Sequence, residues 1–289
     1  MSPIKRVGAV LLVYAVYYST RIIRKQLYFS NTRLKQILLL KQGDLNHYRR
    51  LDYKPNVKEL DAFLTEKIPF YRLLDTNESI VFRNRLLLLL RTKWFVGRQG
   101  IDINNEMILT FGALMIQVTF GFNNFLFPHF HRVAIFPDIF YSRLFERYVK
   151  GLTVYHTGII LVSWPHLEHG IDNESDKINL GLHELAHALY LDYFEHRNML
   201  NGFDRWTTKA LQVFKEMQLN SKDFFLREYA ATNIHEFWAV CVEHYFEAPL
   251  EFRERLPELY KEMCRILKQD VAARHDRFPS SYISTEKTA

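Results

Sequence analysis

The segment Leu182-His183-Glu184-Leu185-Ala186-His187-Ala188-Leu189-Tyr190 constrains this chain more than any other. It holds His-Glu-x-x-His within a run free of Gly and Pro and rich in helix formers, so it predicts a helix. Each residue of an α-helix turns about 100°, which stacks His183 and His187 on one face about 6 Å apart. Two imidazoles at that spacing reach one Zn²⁺ at about 2.0–2.1 Å. Glu184 follows the first ligand and lies beside the metal, placed to act on a water there. With 12 His in 289 residues, chance alone yields the pattern in roughly 3% of such chains. The flanks weigh against chance. Leu182, Leu185, Ala186, Leu189 and Tyr190 make the helix apolar nearly all round, so it is expected to be buried. Two His and a Glu are costly there unless something satisfies them, and a metal does.

A zinc site that performs chemistry needs a third protein ligand and an open position. The candidate lies in the run from Arg227 to Pro249. Asn233 reads as an N-cap, Glu236 stands three residues on, and Pro249 marks the end of a second helix. Glu236 and Glu243 are about two turns apart and point the same way from an otherwise apolar helix. Either one of them reaches the metal, or Asn233 and Glu236 form a capping box and Glu243 is salt-bridged. Spacing leaves both readings open.

The segments Gly181–Tyr190 and Tyr229–Pro249 resemble the Mlc titration factor A (MtfA) family of zinc-dependent peptidases. That family carries His-Glu-x-x-His on one helix, then Tyr-Ala-Ala-Thr-Asn-x-x-Glu-Phe-Phe-Ala-Val and a Glu-Tyr-Phe-Phe-x-x-Pro ending. Lys67–Tyr71, Lys93–Gly97, Ile135–Asp138 and Ile159–Trp164 look like further family landmarks in the same order, so the likeness runs from about Val57 to Asp270. The spacing from Tyr229 to Glu236 is also similar to the metallopeptidase domain of anthrax lethal factor. The chain departs from the pattern at Trp238, where the family mostly has Phe, and at His235, where it often has Ala. A rotation of about 100° from Glu236 points His235 away from the metal.

The resemblance implies an α+β, mainly helical, zincin-like domain of the gluzincin type, with a small sheet beside the metal helix. It assigns His183, His187 and Glu236 to Zn²⁺, Glu184 to general base and Tyr229 to oxyanion stabilisation. Glu243 is expected to accept a hydrogen bond from a ligand His, as metal-bound imidazoles usually require. Zinc in such a set lowers the pKa of water from about 15.7 to about 7. The implied activity is aminopeptidase-like hydrolysis of short peptides. The alternative is a regulator that sequesters a protein partner such as a transcriptional repressor, with a mainly structural zinc site. An inactive descendant could lose Glu184 or Tyr229 and still hold metal; both are present, which favours the enzyme.

The rest of the chain frames this site. Gly158–Trp164 is β-branched and apolar and reads as a strand; either it or a neighbour of it edges a sheet and receives the peptide substrate, or it sits in the core. Glu168–Asp176 looks turn-like. Leu86–Leu90 and Met107–Thr119 read as core. Phe120–Phe130 reads as a buried loop or cleft wall. His129, His131, His166, His169 and His196 read as bystanders. Residues 1–27 form a hydrophobic N-terminal segment; residues 7–23 either anchor in a membrane or pack as a surface helix, since about 17 apolar residues are the lower limit for a span. Residues 28–270 read as a single zinc metallopeptidase domain and 271–289 as a polar C-terminal tail. A net charge of +6 without a basic, aromatic-interleaved stripe argues against nucleic acid as a partner. Cys241 and Cys264 make no disulfide framework and fit a reducing compartment. The catalytic domain is therefore expected in the cytoplasm, whether free or anchored.

Overall fold

An apolar helix and a mixed sheet carry the helix that bears the metal motif. The computed structural model describes residues 48–51, 55–173, 176–195, 203–219 and 224–277, and the chain divides into two compact units, Met1–Tyr48 and Arg49–Ala289. The expectations for residues 1–27 and for His196 lie outside the described residues. No helix among the described residues is long and apolar enough to cross a membrane.

Helices α1 (Val57–Lys67), α2 (Pro69–Arg72) and α3 (Thr76–Leu90) open the second unit. Capping boxes start α1 and α3, with Asn56 paired to Glu59 and Asp75 to Glu78; each satisfies backbone N–H groups that the first turn leaves bare. Strand β1 (Trp94–Gly97) leads to α4 (Asn105–Thr119), in which every residue from Met107 to Thr119 is buried. The leucine run of α3 packs against α4 with Leu86, Leu89 and Leu90 inward, while Leu88 is exposed.

Four strands of the five-stranded sheet, β1, β2 (Arg132–Phe136), β6 (Ile159–Ser163) and β5 (Gly151–Val154), follow one another in that spatial order. β1, β2 and β6 run parallel, with Phe95 opposite Val133 and Val133 opposite Ile160; β5 is antiparallel, with Thr153 opposite Ile160. All five residues of β6 are buried and it lies between β2 and β5. Of the two readings for this segment, the core strand is correct. Its neighbour β5 holds the edge. Between β2 and β5 the chain makes a separate hairpin of β3 (Phe140–Ser142) and β4 (Arg147–Val149).

Helix α5 (Trp164–Asp172) corrects the turn-like reading of Glu168–Asp176 over its first half. Pro165 presets the first turn. Gly170, which suggested a turn, serves close packing: a Cβ there would lie 2.8 Å from the Ile178 carbonyl oxygen. The metal-motif helix α6 (Leu180–Leu189) follows, capped by Asn179, and passes into a π-helical turn over Tyr190–Glu195. After α7 (Phe203–Leu219) and a short 3₁₀ turn at Glu228–Ala231 comes α8 (Ile234–Glu247), packed against α6. Helices α9 (Pro249–Arg255) and α10 (Pro257–Leu267) each begin on proline. The last described helix, α11 (Val271–Arg277), buries Val271, Ala272 and Arg274. Residue 271 is therefore not the start of a tail, because its apolar residues complete the core beside α9.

Candidate active site

The crossing of α6 and α8 sets the geometry. On α6 the apolar residues Leu182, Leu185, Ala186, Ala188 and Leu189 are all buried, which fixes the remaining face. That face carries His183 and His187, whose Nε2 atoms lie 3.2 Å apart. On α8 the cap forms as the sequence predicts, with Asn233 accepting from the backbone N–H of His235 and Glu236. The Trp238 indole N–H donates to the Ala186 carbonyl at 2.8 Å and so ties α8 to α6. A Phe at this position could pack but not donate.

Three ligand atoms of the predicted set converge. His183, His187 and Glu236 offer atoms that all lie within 4.8 Å of one another. Glu236 Oε2 stands 3.0 Å from His183 Nε2 and 3.5 Å from His187 Nε2, yet it is buried with no hydrogen-bond partner. A bare buried carboxylate oxygen is costly. Facing two imidazole nitrogens, it makes a donor set that fits a tetrahedral Zn²⁺ with one position left for another ligand. Burial disfavours the carboxylate, but the two imidazoles outweigh it and hold Glu236 well below the usual carboxylate range.

His183 is held from behind. Burial opposes charge on its ring, but Glu236 and Glu243 push its pKa up to about 10. Its Nδ1 donates to Glu243 Oε1 at 2.7 Å, the contact that fixes the tautomer and leaves Nε2 for a metal. Glu243 is 1% exposed and fully engaged. Arg227 donates to Oε1, and the Asn179 backbone N–H donates to Oε2 at 2.8 Å. Asn179 also caps α6 by accepting from Leu182 N–H at 3.0 Å. The residue that starts α6 thus also anchors the carboxylate that supports His183.

Glu184 is 5% exposed. Thr153 of the edge strand donates its hydroxyl to Glu184 Oε2 at 2.8 Å and lies 2.9 Å from the Glu184 carbonyl oxygen. Burial raises the Glu184 pKa, against the lowering effect of both imidazoles and of Thr153. Tyr229, in the 3₁₀ turn before α8, is 42% exposed with its ring centroid 5.9 Å from that of His183. Burial and the Glu236 charge raise the Tyr229 pKa, so its hydroxyl keeps its proton. The Arg227 guanidinium lies 5.6 Å from the Tyr229 ring centroid.

All six predicted site residues therefore meet. The bystanders stay apart from the cluster. His235 packs on Tyr190 with centroids 5.0 Å apart, His129 stacks on Tyr155 at 3.9 Å, and His131 Nδ1 pairs with the His129 carbonyl at 2.9 Å. His166 pairs with the Ser163 hydroxyl at 2.8 Å, and His169 lies 3.8 Å from Asp176. Sequence reasoning missed Asn179, Arg227, Thr153 and Gly151. N-cap rules could have found Asn179, three residues before Leu182. The others act across the fold and leave no local signal.

A mainly helical unit with a small sheet and a His-His-Glu cluster that could hold a metal is consistent with a metallopeptidase domain. The chain belongs to the glucose-regulated metallo-peptidase M90 family, which it matches over residues 44–268. It is 25% identical to Mlc titration factor A of Yersinia pestis (strain Pestoides F) over 215 residues, 67% of this chain and 78% of the relative. Mlc titration factor A of Yersinia pseudotuberculosis serotype O:1b shows the same figures. An uncharacterized protein of Synechocystis sp. is 23% identical over 232 residues, covering 74% of this chain and 84% of the relative.

Proposed function

We propose that the chain is a zinc-dependent peptidase, aminopeptidase-like on short peptides, with His183, His187 and Glu236 as zinc ligands. One observation carries the reading: the buried, unpartnered oxygen of Glu236 between two imidazole nitrogens, with the Glu184 carboxylate beside them. Bound zinc supplies Lewis acidity, polarising a carbonyl and making water nucleophilic near neutral pH. Glu184 takes a proton from the attacking water on its carboxylate and passes it to the leaving amine. The Tyr229 hydroxyl donates a hydrogen bond to the carbonyl oxygen as that atom gains charge. Thr153 orients Glu184, and Glu243 orients His183.

The substrate backbone pairs with the free edge of β5, where extended peptides add a strand. That edge runs past Glu184 because Gly151 lacks a Cβ; one placed there would sit 2.4 Å from Glu184 Oε1. Free Cys241 and Cys264 support a reducing, cytoplasmic setting for the catalytic domain, whether free or anchored. The test is peptide cleavage by the zinc-loaded protein with and without a chelator, beside Glu184→Gln. Chelation is expected to stop cleavage and zinc to restore it, while Glu184→Gln keeps its zinc and loses about 10²–10⁴ in rate. Cleavage by Glu184→Gln at the wild-type rate would overturn the mechanism. The relatives' name, Mlc titration factor A, supports a second reading, sequestration of a repressor. Chelator-insensitive partner binding without cleavage would favour it.

A further inference from the structure

The hairpin β3–β4 feeds directly into the edge strand. Its register sets Phe140 opposite Val149, Tyr141 opposite Tyr148 and Ser142 opposite Arg147. Opposed residues and residues two apart share a face. Phe140, Ser142, Arg147 and Val149 therefore form one face, and Tyr141 with Tyr148 the other. Phe140 and Ser142 are each 4% exposed, so their face turns toward the body of the unit. Arg147, on that same face, is exposed, which shows that the inner side opens to solvent at this point.

Arg147 has no ion-pair partner among the described residues; its guanidinium only approaches the Phe145 ring, 5.7 Å from the centroid. Its charge nevertheless acts on the Tyr229 phenol. Along the chain, Tyr148, Val149 and Lys150 separate it from Gly151, the residue pressed against Glu184. Four extended residues span at most about 13 Å.

We infer that Arg147 is a specificity-determining residue that captures a carboxylate of the substrate within about four residues of the scissile bond. The inference rests on the peptidase reading above. A peptide paired on β5 with its cleaved bond beside Glu184 runs past β4. Arg147 there offers a fork of N–H donors matched to a carboxylate. The group is either an acidic side chain or the chain terminus.

The test uses the zinc-loaded full chain and quenched fluorescent peptides in which one Glu or one Gln is walked along an Ala-rich sequence. Each peptide is made with a free and with an amidated C-terminus. Cleavage gives kcat/KM, and anisotropy gives Kd with the same peptides. Wild type is expected to favour one carboxylate position by about tenfold, mostly in KM. A Glu position identifies a side chain, and the free terminus identifies an end-binding site. Arg147→Ala brings the charged-to-neutral ratio near one, and Arg147→Glu turns the preference toward a Lys peptide, a reversal that lost structure cannot produce. A wild-type ratio of one, or an unchanged ratio in Arg147→Ala, overturns the inference. Absence of cleavage with a retained, Arg147-dependent binding ratio would sink the peptidase reading and reduce Arg147 to a carboxylate-binding residue with no role in cleavage specificity.

Discussion

Two acidic side chains on one helix have opposite surroundings. Glu243, in the middle of α8, accepts from His183, Arg227 and the Asn179 backbone, whereas Glu236, in the first turn, turns a buried oxygen toward the two imidazole nitrogens alone. Both are acidic, both point to the same side, and seven residues separate them. The difference lies in what the rest of the fold brings to each. A carboxylate saturated by protein donors can only position its neighbours. One that faces only two imidazole nitrogens is poised for a cation shared with them.

The contrast breaks most sharply at Glu236 itself. Glu236→Gln is expected to lose bound metal to near background, measured by elemental analysis, and to lose cleavage with it; full metal occupancy in that variant would leave Glu236 without its role. Tyr229→Phe tests the open side of the site. It should lower kcat by about 10²–10³ with metal content and thermal melting unchanged. Glu243→Gln should weaken zinc affinity about 10–100-fold, and excess zinc should restore activity, which it cannot do for Glu236→Gln. If excess zinc fails, Glu243 is more than a support for His183.

The smallest effect concerns a third buried charge, Lys93, which is held by two carbonyls and feels the charge of Asp192. Its Nζ donates to the carbonyls of Leu126 and Phe127 at 2.5 and 2.8 Å, and burial lowers its pKa to about 7. The unfolded chain, with an ordinary lysine, then binds more protons than the folded one between about pH 7 and 10, so stability rises with pH across that window. The urea midpoint of wild type should climb through it, and that of Lys93→Met should stay flatter. Parallel curves would mean that the carbonyls hold the ammonium better than its burial implies.

The metal helix, the cap at Asn233 and the pairing of His183 with His187 were legible because helical period is local and an apolar helix with polar residues needs a reason. Spacing alone could not separate Glu236 from Glu243, since both lie on one face; the family resemblance made that choice, and the orphaned oxygen supports it. The edge strand was not legible. Ile159–Ser163 reads as a buried strand in either position, and only the antiparallel return of Gly151–Val154 decides which one faces a substrate. The helix over Trp164–Asp172 was missed because Gly170 carries a turn signal, although its purpose is close approach to Ile178 and Asn179. Arg227 and Thr153 depend on contacts across 16 and 31 residues, which pattern reading does not reach.

Gly151 leaves no room for even one methyl group between the outer strand and the Glu184 carboxylate. In the proposed mechanism, binding and chemistry are therefore joined at a single backbone atom. A designer who altered this position to change what docks would also displace the base, so tuning of selectivity must start further out, along the hairpin.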